Sequence, residues 1–87
     1  MREFKVVNKV DNAEQYTGAQ PHSDIYDNYV GAPVEAETAA EAIEFAIDKL
    51  CEDICNNGYK CKINGETITV YDENGNVHEQ YYDFKAE

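Results

Sequence analysis

The chain has no tryptophan, one methionine, one leucine and two prolines among its 87 residues. Leu, Ile, Val and Phe together supply 17 side chains. That share, about a fifth, is close to the least a folded domain can use. A single domain spanning 1–87 with a small margin of stability is expected. No apolar run approaches the ~20 residues of a membrane-spanning helix, and Met1-Arg2-Glu3 does not open a signal peptide. Positive charge is scarce too: 7 Lys and Arg stand against 18 Asp and Glu, for a net charge of −11. Such a chain is repelled by DNA, RNA and anionic lipid, so none of these is an expected direct partner. The three cysteines, Cys51, Cys55 and Cys61, are an odd number at irregular spacing. They do not form a disulfide framework, and free thiols in a reducing cytoplasm are expected.

Phosphate-binding Gly-rich loops, nucleophile elbows and HExxH helices are all missing from the sequence. Two histidines, His22 and His78, lie far apart, and no CxxC pair accompanies them. A tetrahedral zinc site needs four convergent ligands. The expectation is therefore no enzyme, no metal and no cofactor.

What is present is a clear order of elements. Residues 3–10 alternate, with Phe4, Val6, Asn8 and Val10 on one face and Lys5, Val7 and Lys9 on the other, which reads as a strand. Residues 11–33 show no period. They form either an irregular functional loop or a stretch containing a short strand or helical turn. Val34 to Glu37 reads as a short strand. Thr38-Ala39-Ala40-Glu41 has the form of a capping box and starts a helix over 38–57. Ala39, Ile43, Ala46, Ile47, Leu50 and Ile54 fall within an arc of about 80° on that helix. Asn57-Gly58 ends it.

A β-meander over 59–84 follows. Asn64-Gly65 is a strong hairpin signal; a two-residue turn there pairs Ile63 with Glu66, Cys61 with Ile68 and Tyr59 with Val70. Asp72-Glu73-Asn74-Gly75-Asn76 marks a second turn. If Asp72 pairs with Asn76, Tyr82 and Phe84 share the face of Ile68 and Val70, and a one-residue slip exchanges Tyr82 for Tyr81. The sum is an α+β fold: one amphipathic helix on an antiparallel sheet of three to five strands.

The candidate site is a surface. Glu41, Glu44, Asp48 and Glu52 recur at steps of three or four and sit opposite the apolar arc. They cover roughly 16 Å of helix. Their spacing of about 6 Å is of the order of that between phosphates on one strand. Phe45 lies beside them, either as an interface anchor with a charged rim or as a side chain that the 11–33 loop covers. Asp24, Tyr26, Asp27 and Tyr29 interleave acids with tyrosines, which suits either an adhesive acidic surface or packing on the open sheet face.

Val34-Glu35-Ala36-Glu37-Thr38-Ala39-Ala40-Glu41-Ala42-Ile43 resembles a strand-to-helix phrase that recurs in small α+β domains, HicB-type antitoxins among them. The length, single domain and strong negative charge resemble those of the small acidic anti-CRISPR proteins of phages and mobile elements. That resemblance implies an inhibitor that occupies the basic nucleic-acid-binding surface of a Cas effector or similar protein in a bacterial host cell. The alternative expectation is an antitoxin-like accessory domain that self-associates through Val77 to Phe84 as a sheet edge. A monomer favours the first reading and a homodimer the second, although a dimeric inhibitor also fits the first.

Overall fold

The computed structural model describes residues 1–27 and 31–87. One main helix packs against antiparallel sheets, as an α+β fold requires. The first strand of the sequence is two strands. β1 (Arg2–Phe4) pairs with β3 (Val34–Ala36), whereas β2 (Val6–Asn12) joins a four-stranded sheet. Phe4 and Val6 both point to the core across the break at Lys5. The alternation therefore continues through a change of sheet and does not reveal it. Asn12 then caps α1 (Ala13–Tyr16) with a reciprocal box to Gln15. The helical-turn alternative for part of 11–33 is the one realised.

α2 (Ala39–Asn56) starts where the cap residue predicts: Thr38 Oγ1 accepts the Glu41 N–H at 3.2 Å. Ala42, Ala46, Ile47, Leu50 and Ile54 are buried, and Ile43 partly so. Ala39 is exposed, because the first turn extends beyond the sheet's cover. Tyr59 N–H donates to Ile54 O and Gly58 N–H to Cys55 O, which closes a Schellman cap. Gly58 holds φ +89° there. Gly58→Ala is expected to cost about 1–2 kcal/mol, read as a lower urea midpoint at unchanged slope.

The main sheet runs β2-β6-β5-β4, with β4 (Lys60–Asn64), β5 (Thr67–Tyr71) and β6 (Val77–Ala86). Two registers differ from expectation. In the first hairpin Ile63 pairs with Ile68 and Cys61 with Val70. Gly65 and Glu66, rather than Asn64 and Gly65, are the turn's centre. Gly65 has φ +64° and Glu66 is not in the positive-φ region, the II′ pattern. The shift preserves which residues share a face, so hydrophobic pattern alone does not choose between the two. In the second hairpin Asp72 does pair with Asn76, its N–H donating to Asn76 O at 2.9 Å. The register then shifts between Tyr71↔Val77 and Val70↔Glu79, leaving His78 as an extra residue. A further irregularity opposite Val7–Lys9 contains Asp83, at φ +57°. Tyr81 and Phe84 are thereby both buried, and Tyr82 faces the other way.

β6 lies between β2 and β5, so Val77 to Phe84 is not an edge available for self-association. The edge strands of this sheet are β2, whose outer side meets the Asn8↔Asp27 bridge, and β4, on whose outer side no strand pairs among the described residues. A second correction concerns the thiols. Cys51 on α2 and Cys61 on β4 form a disulfide with 6.4 Å between Cα atoms; Cys55 is free and exposed. An i, i+10 pair brought together across the helix-to-strand turn is a tertiary fact that odd-number counting misses. Among the described residues, no helix is long and apolar enough to cross a membrane.

Candidate functional site

Two polar constellations stand out, on opposite sides of the main sheet. The first is the outer face of α2. Glu44, Asp48 and Glu52 are exposed and Glu41 is half-buried. Among the described residues none of the four makes an ion pair. Lys49, the one cation on the helix, is 3.4 Å from Asp53 instead. Phe45 is 48% exposed, so the described residues do not cover it. Beside the stripe, between α2 and the β4–β5 hairpin, runs an open groove of about 520 Å³. Ile43, Ile47 and Ile63 line its floor, and Glu44, Asp48 and Glu66 stand along it. The stripe is thus flanked by apolar surface on both sides.

Lysines lie elsewhere. Cys61 faces α2 through its disulfide, so strand alternation turns Lys60 and Lys62 to the opposite face. Lys9 pairs across the sheet with Tyr82, on that same far side. The four stripe carboxylates are thus on the other side of the sheet from Lys9, Lys60 and Lys62, although Asp11 and Asp83 are on the lysine side and Lys9 lies 3.9 Å from Asp83.

On the far side the chain before residue 28 folds over β2 and β6. Asp11 is completely buried. One of its oxygens accepts the Ser23 N–H at 2.8 Å and the Tyr82 hydroxyl at 3.1 Å; the other meets His22 Nδ1 at 2.5 Å. Tyr82 also reaches Ser23 O at 3.3 Å. Burial alone would raise the Asp11 carboxyl, but the hydrogen bonds from His22, Ser23 and Tyr82 outweigh it, and the net direction is down. Tyr82 is pushed up, first by burial and then by the adjacent Asp11 carboxylate. This cluster was not legible in the sequence, since Asp11 and Tyr82 are 71 residues apart and meet only through the β2–β6 pairing.

Tyr26 belongs to this far side as well. Its hydroxyl donates to Asp83, while Lys9 and Lys85 approach its ring at 5.2 and 4.5 Å from the centroid. The Tyr26 hydroxyl holds the Lys85 ammonium above its usual value. Asp27 is exposed and exchanges two backbone hydrogen bonds with Asn8. Asp24 is exposed. Tyr29 lies outside the described residues. The packing alternative thus fits Tyr26, and the acidic helix face and the Asp24–Asp27 segment form separate surfaces.

The Asp11–His22 pair holds an imidazole by its Nδ1 side. Neither the groove beside α2 nor the one lined by Asn57, Gly58, Tyr59, Asp72 and Glu73 includes it. Its chemistry is that of a latch that ties the 22–27 segment to the sheet. Among the described residues, no cluster of three or more His, Cys, Asp or Glu side chains is placed to hold a metal ion. Comparison with protein-family models, curated proteins and solved structures finds no match to this chain.

Proposed function

We propose that this chain is an acidic protein-binding inhibitor whose α2 face stands in for a nucleic-acid backbone. In its most concrete form it is anti-CRISPR-like and blocks the basic nucleic-acid-binding surface of a Cas effector. The observation that carries the reading is the set Glu41, Glu44, Asp48 and Glu52: four carboxylates on one helix face, without ion-pair partners among the described residues, beside an exposed Phe45. Like charges at this spacing weaken a helix by a few tenths of a kcal/mol per pair. A cationic partner surface removes that repulsion on binding. The carboxylates replace phosphates in a Lys- and Arg-lined groove and compete with the nucleic acid for it. Phe45 adds an apolar contact within the charged rim.

The test is capture of purified Cas effectors by the immobilised protein, washed at low and at moderate salt, with DNA as competitor. Capture is expected to fall as salt rises and as DNA is added. Glu44→Lys with Asp48→Lys is expected to abolish it, with the thermal melt unchanged within a few degrees. Capture at unchanged affinity by that double variant would leave α2's outer face as plain solvated surface.

A further inference from the structure

The groove beside the acidic stripe has a feature that the stripe lacks. One of its walls is the tip of the β4–β5 hairpin, Ile63, Gly65 and Glu66, where β4 is an edge strand of the main sheet. Among the described residues, the backbone of Lys60–Asn64 bonds to β5 on one side, and no strand pairs with it on the other. The Cys51–Cys61 disulfide ties that strand to α2 and fixes the spacing of the two walls. An open strand edge, an apolar floor of Ile43, Ile47 and Ile63, and the carboxylates Glu44, Asp48 and Glu66 are therefore adjacent. Ile63 remains 46% exposed within this arrangement.

We infer that this groove binds an extended, cationic segment of a protein partner by adding it as a strand to β4. Strand addition uses unpaired backbone groups for affinity and alternate side chains for specificity. Here the two faces of the added strand meet different surfaces. Side chains directed toward α2 meet the isoleucines and the three carboxylates, so apolar residues and Lys or Arg belong there. Those directed away lie beside Lys60 and Lys62, where Thr, Ser, Asp or Glu fit. A second copy of this chain is a poor occupant. Pairing β4 with its twin sets Lys60 and Lys62 against the same lysines, an arrangement that protects open edges from self-pairing. The inference rests on the reading that the acidic face of α2 is the partner-binding surface, and it names the chemistry of the segment that face receives.

The experiment uses three synthetic peptides of equal charge. The first alternates Lys, Ile and Lys with intervening Thr. A second has the same composition with the alternation scrambled. In the third, the alternating sequence carries backbone N-methyl groups along one edge. Titration into the full chain is followed by amide hydrogen exchange and by isoleucine methyl shifts. The alternating peptide is expected to slow exchange of the outward amides of β4 at least tenfold and to shift the methyls of Ile43, Ile47 and Ile63. The scrambled and N-methylated peptides are expected to bind at least tenfold more weakly, and Ile63→Ser to weaken the alternating peptide alone. Equal binding of all three peptides overturns strand addition while leaving charge recognition by α2 intact. Equal binding of the alternating peptide by the Glu44→Lys, Asp48→Lys variant overturns the acidic-face reading instead. No binding of any peptide at low salt overturns the strand-addition site.

Discussion

Opening the Cys51–Cys61 bridge, by a dithiol reductant or by replacing both cysteines with serine, is expected to destabilise the chain by about 2–3 kcal/mol. The bridge closes a short loop, ten residues in sequence separation, that contains the end of α2, its Schellman cap and the start of β4. Released, that loop regains conformational freedom in the unfolded chain. The edge strand also loses its covalent tie to the helix. For a domain of this size the loss corresponds to a fall in Tm of roughly 10–20 °C. It is a large part of a total stability on the order of 5–15 kcal/mol. The measurement is a pair of thermal melts with and without reductant, with Cys55→Ser as the control that should not respond. An unchanged Tm on reduction would show that the hydrophobic contacts of Leu50, Ile54 and Val70 hold helix and sheet together without help.

Asp11→Ala is expected to cost about 2–4 kcal/mol, because it leaves the Ser23 N–H without its acceptor and the Tyr82 hydroxyl with only the longer contact to Ser23 O in a partly buried place. His22→Ala is expected to cost far less: the imidazole side chain is 66% exposed and water replaces its contacts. The same carboxyl sets a pH dependence. Its folded value lies below the ordinary 3.8. Its contribution is therefore complete above about pH 3.8, where the unfolded carboxyl is also ionised, and is lost as pH falls through the lower folded value. Asp11→Asn should flatten that acid limb of the stability curve. Urea titrations at several pH values between 2 and 5 check both statements; a limb of unchanged slope in Asp11→Asn would place the acid response in other carboxylates.

The parts of the fold that were legible in the sequence are those set by local chemistry. Thr38 and Gly58 bound α2 because a cap hydroxyl and a left-handed glycine act within one turn of the chain. The apolar spacing from Ile43 to Ile54 placed the helix on the sheet for the same reason, while Ala39 at its start is exposed and Ala42 is buried instead. What was not legible depends on events between distant segments. The change of sheet at Lys5 needs β3 as partner, and the extra residue at His78 moves Tyr81 inward in place of Tyr82 without disturbing the turn before it. The buried Asp11 reads in sequence like any polar residue near a strand end. Its partners arrive from residues 22–23 and from β6, so only the folded chain identifies it. The acidic stripe is the reverse case: one helix produces it, and sequence spacing alone located it.

Cys55 has a practical consequence. With the other two cysteines joined to each other, the folded chain offers one thiol, exposed on α2 one helical turn from Cys51 and on the flank where Asp48 and Glu52 lie. A thiol-reactive fluorophore would attach at that single point in the unaltered sequence. Its emission would then report, in real time, whether anything has settled on the carboxylate face, and how quickly it leaves.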